Sequence, residues 1–516
     1  MAKPATHKPQ RSGVPASISS WIADNPCNTF GVFAILHLLV WTALPSLLYP
    51  NLPLDLIEAL TYGREWQLGY DKLPPLPWWL IEIVYRVAGH DFAYYALAQV
   101  AVLAGFALVW AMARPVVGPQ GALASVLILD GLHYFNYTAA KFNHDVIQLP
   151  FWALAGFSLH RALRGGGLVY WCLLGAGIGG ALWAKYFVAM LAIPIALFLL
   201  LDADARKSLL TPGPWIAALV ALAIMAPHLW WLVTNDFLPF AYAAARATPA
   251  RGIFDHILHP LTFAAGQAGF LVPALLIALP LFWPRVKMSK EANAKSFDFR
   301  IITLLAFGPA AAVIALSALS GRGTIAMWGY PLWLFLGLWI VMLAQRATRQ
   351  KRLPRIAATW AIVFAVMAGA FIVNYAVLPR FDHRYRAAFF PGEAMAREIS
   401  QRYRAVAQRP LTYVISSMWE GGNVGHYAPE RPRVLIDGRP VRAPWIDLAD
   451  LRSKGAVIVW TDGDLKTLPL AYRQFSDRAV VQEPFEVPFR RGERTLSVGW
   501  AVLPPQPSFA AITPAP

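Results

Sequence analysis

Phe30-Gly31-Val32-Phe33-Ala34-Ile35-Leu36-His37-Leu38-Leu39-Val40-Trp41-Thr42-Ala43-Leu44-Pro45-Ser46-Leu47-Leu48 contains no acidic side chain, no lysine and no arginine. Its length is near the ~20 residues that a helix needs to cross a hydrocarbon core. A helix on a soluble core would show a polar face at helical spacing, and this run shows almost none. Tyr94 to Met112 and Ile356 to Val373 read the same way. Across the chain 57% of residues are hydrophobic and 14% charged, against roughly 25% charged in a soluble domain. The chain therefore reads as an α-helical polytopic membrane protein.

On the upstream side, Met1 to Asn28 is polar and contains Pro and Lys. No small-residue cleavage site follows the first apolar run, so residues 1–28 read as a cytoplasmic tail before a retained anchor. On the downstream side, hydropathy places spans at about 29–49, 93–113, 119–137, 146–161, 168–183, 186–201, 214–234, 259–283, 301–319, 325–345 and 356–377, about eleven in all. Basic residues test that count. Lys3, Lys8, Arg11, Arg114, Arg161, Arg164, Arg206, Lys207, Arg285, Lys287, Lys290, Lys295, Arg300, Arg346, Arg349, Lys351, Arg352 and Arg355 all fall on one side, which the positive-inside rule makes cytoplasmic. This loop bias explains most of the net charge of +16, which in a soluble chain would point to nucleic acid.

Leu76 to Ala88 is apolar but short. As a span it would put Arg114 and the Arg161 loop outside. Parity makes it an interfacial helix instead, with Trp78, Trp79 and Tyr85 at the membrane surface. The first outer loop, from about Pro50 to Asp91, is then long for a connector, and long loops tend to be functional. Beyond Pro379 the texture changes. A charged helical stretch, Gly392 to Val406, precedes β-rich runs at Leu411 to Ser416, Arg433 to Ile436, Ala456 to Thr461, Ala479 to Val481 and Leu496 to Val502. Residues 29–378 are thus expected to form the membrane domain, 379–503 a small outer α/β domain, and 504–516 a disordered tail. Cys27 and Cys172 lie far apart and suggest no disulfide framework.

Charges at a membrane surface are costly and are functional candidates. The outer side gathers Asp55 and Glu58, which share a helix face at a spacing of three. It also gathers Tyr70-Asp71-Lys72-Leu73-Pro74-Pro75, Lys141-Phe142-Asn143-His144-Asp145, and Gly321-Arg322-Gly323-Thr324. Bland readings stand beside these. Acids suit a helix start, Lys72 suits snorkelling to headgroups, Asp145 suits a cap, and Arg322 suits an interface anchor. Lys185, His228, Arg246 and Arg251 read as anchors or loop charges. Two Asp-x-Asp triplets, Asp202-Ala203-Asp204 and Asp462-Gly463-Asp464, lie away from this group. No His/Cys cluster has zinc spacing and no Gly-rich nucleotide loop occurs.

An acid after the first span and a Lys/Pro-Pro-Leu segment entering a Trp-rich helix resemble the protein mannosyltransferase and lipid A aminoarabinose transferase superfamily. So do Lys-Phe-Asn-His-Asp before Leu149-Pro150-Phe151-Trp152, and Gly-Arg-Gly before Trp328-Gly329-Tyr330-Pro331. The chain departs from that pattern where Leu73 separates Lys72 from Pro74. The resemblance implies a GT-C fold with interfacial helices in the first outer loop. It also implies transfer of a sugar from a polyprenyl-phosphate donor to an envelope acceptor, such as lipid A or a polysaccharide, at the periplasmic face of a bacterial inner membrane. In that reading Asp55 is the base and Asp145 a second acid in the cavity, with Lys72 and Arg322 on the donor phosphate. Glu58, Tyr70, Asp71, Lys141 and Asn143 line the cavity. No cofactor is required, although Asp55, Glu58 and Asp145 could hold a divalent cation. The partners are the lipid donor, the lipid or glycan acceptor and membrane lipids, without nucleic acid. A lipid or solute transporter or flippase is the alternative. It suits the many spans, but paired Gly/Pro-broken helices in matching halves are absent. A non-catalytic assembly protein is a third reading.

Overall fold

Pro26 starts the first long helix, where its missing N–H leaves no hydrogen bond unmade. The helix runs Pro26–Leu48. The computed structural model describes residues 18–282, 296–344, 352–382, 384–489 and 494–506. Six helices among them are long and apolar enough to cross a membrane: Pro26–Leu48, Phe92–Asp130, Gly213–Thr234, Asp255–Phe282, Phe297–Ser320 and Leu353–Arg380. Leu149–Leu163 and the shorter apolar helices Leu168–Ala184 and Tyr186–Leu201 pack among them.

Three expected spans take other forms. Those at 93–113 and 119–137 join in one helical stretch, Phe92–Asp130, broken at Gly118 (φ 76°) between Pro115 and Pro119. The one at 325–345 is helical only at Leu336–Leu343, after a 3-10 turn at Ala326–Gly329. Side chains replace the missing backbone bonds there. The Ala326 carbonyl accepts from Tyr134 Oη at 2.6 Å and Gln267 Nε2 at 2.9 Å, and Trp333 Nε1 donates to Gln267 Oε1 at 3.0 Å. Irregular backbone survives at membrane depth only where protein satisfies it in this way.

One polar network is buried in the bundle. His37 Nδ1 lies 2.9 Å from Asp130 Oδ1, and both side chains are fully buried. Trp360 Nε1 donates to Asp130 Oδ2 at 2.7 Å, and His37 Nε2 meets Gln99 Oε1 at 3.1 Å. At one end of the bundle, Arg300 bonds Asp202 and Asp204, each at 2.7 Å, while His160 and Arg164 converge on Asp298. The Asp202-Ala203-Asp204 triplet is thus a seat for an arginine. Lys3, Lys8, Arg11, Arg285, Lys287, Lys290, Lys295, Arg346, Arg349 and Lys351 lie outside the described residues, as do most of the two expected tails.

At the other end, Leu54–Gly63 and Leu76–Ala88 form the two helices of the first long loop. They approach so closely that a side chain at Gly63 would strike the Trp78 carbonyl. Trp78 is only 1% exposed and stacks on Tyr62 at 4.3 Å, so it is core and not part of a surface belt.

The C-terminal part builds one sheet in the order β2-β1-β3-β6-β4, with β5 paired to β6. The strands are β1 (Tyr413–Ser416), β2 (Arg433–Ile436), β3 (Ala456–Trp460), β4 (Val480–Val481), β5 (Phe485–Pro488) and β6 (Thr495–Leu503). β1 is parallel to β2 and β3, and the other pairings are antiparallel. Alternate residues pack to opposite faces. Val414, Val457 and Val459 meet helices Gly392–Ala407 and Met418–Tyr427, while Tyr413, Ile415 and Leu435 meet Leu448–Lys454. Burial on both faces explains why these strands read as apolar runs and not as alternating ones. Met418–Tyr427 packs on Leu54–Gly63, so the sheet domain docks on the first long loop.

Candidate active site

Five separate stretches supply polar or aromatic groups to one cavity of about 550 Å³. Leu54–Gly63 brings Asp55 and Glu58, and the following loop brings Lys72. The turn before Leu149 brings Asn143, His144 and Asp145. The junction after Ala184 brings Lys185 and Tyr186, and the short helix Leu238–Arg246 brings Tyr242 and Arg246. The irregular segment at 325–328 adds Ile325, Met327 and Trp328. The lining combines these charged groups with apolar ones, Phe187, Met190, Leu316 and Met327.

Local chemistry places each group. Asn143 accepts from the Val146 N–H at 3.0 Å and so caps the short helix His144–Ile147. The cap leaves Asp145 free to reach across to Lys185, whose Nζ lies 2.7 and 2.8 Å from its two oxygens; Gln148 Nε2 adds a bond at 2.8 Å. Lys72 pairs with Glu58 and lies 5.6 Å from the Tyr242 ring centroid. His228 Nδ1 must donate to the Leu68 carbonyl (2.6 Å), because a carbonyl only accepts. Neutral Nε2 then accepts from the Tyr186 hydroxyl at 2.7 Å.

After these pairings two charges stand apart. Among the described residues neither Asp55 nor Arg246 has a salt-bridge partner. Burial pushes the Asp55 carboxyl up to about 7, and the nearby Glu58 and Asp145 carboxylates push the same way, against Lys141 and Lys72. Burial drives the His144 imidazole down to about 3, with Lys185 adding to the effect, so this ring is neutral. No three His, Cys, Asp or Glu side chains among the described residues stand close enough to share a metal ion. Glu58 and Asp145, two of the acids considered as cation ligands, are instead held by lysines.

Asp55, Glu58, Lys72, Asn143 and Asp145 are therefore brought together as the sequence predicts. Four other residues are placed differently. Tyr70 is buried behind the wall, donating to the Tyr62 carbonyl at 2.8 Å. Asp71 turns away from the cavity to Tyr62 and Arg442. Lys141 acts on Asp55 through its charge and does not line the space. Arg322 is exposed and donates to the Ala244 carbonyl at 3.1 Å, while Gly323 pairs with Thr248. That motif braces the segment carrying Arg246, which lines the cavity in its place. Lys185 and Arg246, which read as anchors from sequence, line the cavity. A lone cation between two apolar runs was the available signal for Lys185.

The family model for dolichyl-phosphate-mannose-protein mannosyltransferase matches residues 72–231. Nearly the whole chain, 95%, superposes on all of ArnT from Cupriavidus metallidurans bound to undecaprenyl phosphate, with a TM-score of 0.61 at 14% identity. The chain is thus similar to that family over residues 72–231, and over nearly its whole length it has the GT-C fold of ArnT. It is also similar to two proteins of Rhizobium johnstonii. It is 31% identical over 196 residues to the lipopolysaccharide core galacturonosyltransferase RgtB, covering 37% of this chain and 39% of that relative. It is 24% identical over 460 residues to the lipopolysaccharide core galacturonosyltransferase RgtA, covering 85% and 87%. The chain thus spans about two fifths of the length of the first relative and most of the second. The family match begins at Lys72 and runs through Asp145 and Lys185, so it takes in the lysine of the Lys72–Glu58 pair and both members of the Lys185–Asp145 pair.

Proposed function

We propose that this GT-C protein transfers a sugar from a polyprenyl-phosphate carrier to a lipid A or lipopolysaccharide-core acceptor, at the periplasmic face of the membrane. The names of the relatives point to a galacturonosyl group as the sugar. The observation that carries the reading is the unpaired Asp55 carboxyl, raised to about 7, lining the same cavity as an unpaired Arg246 and a set of apolar side chains.

The chemistry follows from that arrangement. A lipid phosphate is a stable leaving group and needs cations more than a strong acid. Arg246 offers a planar fork to its oxygens, and Lys72 adds a point charge once the phosphate competes with Glu58. Asp55 takes the proton of the acceptor hydroxyl. The hydroxyl oxygen bonds to the anomeric carbon, the bond from that carbon to the phosphate oxygen breaks, and the electron pair leaves with the lipid phosphate. A carboxylate near pKa 7 suits this role, since a base is most effective when its pKa is near the working pH. Lys185 holds Asp145 in place beside the reacting groups. The apolar side chains in the lining suit the first isoprene units of the carrier.

The test is transfer in nanodiscs. Purified protein is incubated with polyprenyl-phosphate galacturonic acid and lipid A or core acceptors, and products are read by mass spectrometry. The expected outcome is a glycosylated acceptor, reduced about 10²- to 10⁴-fold in Asp55→Asn. Transfer by Asp55→Asn at the wild-type rate would sink the base assignment, and transport of the lipid without product would sink the reaction.

A further inference from the structure

The segment between the two loop helices, 64–75, carries Lys72 into the cavity and contains no regular structure of its own. Loop backbone that must place a charge needs outside support. Three parts of the molecule provide it. His228 takes the Leu68 carbonyl, and a side chain at Gly69 would collide with the Trp231 indole, so Gly is required there for close approach. Tyr62 Oη donates to Asp71 Oδ1 at 2.7 Å, from the same helix that holds Glu58. The remaining support comes from the sheet domain.

Arg442 Nε donates to Asp71 Oδ2 at 2.8 Å, and its Nη1 meets Asp437 at the end of β2. The Asp71 carboxylate is therefore bonded on both oxygens, one from each domain. Asp71 is the immediate neighbour of Lys72, so fixing it fixes where the Lys72 side chain begins. Both side chains of the Arg442–Asp71 bridge are largely buried, and the bond is charge-assisted on both sides. Other pairs join the two domains nearby. Arg433 pairs with Glu65, Arg64 donates to the Arg431 carbonyl at 2.8 Å, and Arg431 lies over the Tyr85 ring at 3.8 Å. Only the Arg442 bridge ends on the residue next to a cavity cation.

We propose that the C-terminal domain sets the position of the Lys72 ammonium, with Arg442 as the positioning residue acting through Asp71. The domain is then a working part of the donor site, although none of its described side chains lines the cavity. This rests on the reading of Lys72 as a donor-phosphate group.

The experiment separates positioning from general cohesion, and binding from transfer. Binding of polyprenyl phosphate is measured on the full chain in nanodiscs for wild type, Arg442→Gln, Arg442→Lys and Arg431→Gln. Hydrogen exchange of residues 64–75 is followed on the same samples. Arg442→Gln is expected to weaken binding about 10- to 100-fold and to raise exchange in the loop. Arg442→Lys, which keeps the charge, is expected to restore most of the binding. Arg431→Gln, which cuts an interdomain contact away from Lys72, is expected to bind as wild type does. Should Arg442→Gln fail to fold, Asp71→Asn cuts the same bridge from the loop side. Unchanged binding in Arg442→Gln overturns the proposal, as does equal weakening in Arg442→Gln and Arg431→Gln. A wild-type protein that binds the lipid but transfers no sugar counts against the proposed reaction alone, and the variants still decide the positioning. A wild-type protein that does not bind the lipid overturns both.

Discussion

Asp55 accepts a proton only when it is ionised, and its surroundings delay ionisation. Burial, Glu58 and Asp145 raise its pKa from 3.8 to about 7, while Lys141 and Lys72 oppose them. The rate of transfer is therefore expected to climb with pH up to about 7 and level off above it. In Lys141→Met one opposing charge is gone, so the rising limb moves to higher pH. A pH–rate profile that is flat from pH 5 to 8 would contradict the environment assigned to Asp55. The same shift has a consequence for stability. A group whose folded pKa is raised stabilises the fold most at pH below its unfolded value, and that contribution is lost as pH rises through 7. Asp55→Asn removes the strained charge. It is expected to have a higher melting temperature than wild type at pH 8, with the gap shrinking as pH falls toward 4, while remaining inactive. Asp55 and Asp145 were legible because an acid beside an apolar run is conspicuous. Arg246 was not, because exposed arginines near a membrane surface usually serve as anchors. What distinguishes this one is the bracing of its segment by Arg322 and Gly323, a contact between distant parts of the chain.

At the scale of elements, hydropathy found the helices and missed how they meet. Leu76–Ala88 has the bounds read from sequence, since Pro77 in its first turn and Gly89 (φ 60°) after it mark both ends. The burial of Trp78 was not legible, because an aromatic pair at a helix start looks the same in a membrane belt and in a core. The small residue that permits that burial is Gly63. Gly63→Val is expected to push the two loop helices apart and to cost about 1–3 kcal/mol, typical of overpacking. Fluorescence-detected gel filtration across a temperature ramp would measure it, and an unchanged melting point would mean that the helices can slide apart freely. The irregular segment at 326–335 was read as part of a span because its composition is apolar. Periodicity has no means of showing that Tyr134, Gln267 and Trp333 supply its hydrogen bonds.

At the scale of the whole molecule, composition decided that the chain crosses a membrane many times, and motif order suggested a GT-C arrangement. The role of the C-terminal domain lay beyond such reading. Asp71 and Arg442 are 371 positions apart, and nothing local to either predicts the other. The buried pair His37–Asp130 was equally invisible, since His37 reads as a tolerated polar residue in an apolar run and Asp130 as the end of another. Asp130→Ala would leave the Trp360 indole N–H without its acceptor and take the carboxylate from beside the His37 ring, which keeps Gln99. Interhelical bonds of this kind contribute on the order of 1 kcal/mol each in membranes. The expected result is a lower yield of folded protein with wild-type activity per folded molecule, measured by active-site titration. Lost activity at full yield would mean that the network serves the reaction.

That network also sets a timetable for synthesis. Trp360 lies 230 positions after Asp130, so it leaves the ribosome long after the aspartate has entered the bilayer. His37 is already there, and so is Gln99 on the same stretch of chain as Asp130. For most of translation the nascent protein therefore shelters its acid with the first anchor it made. The helix Leu353–Arg380 then arrives as a latch on whatever contact Asp130 has already made.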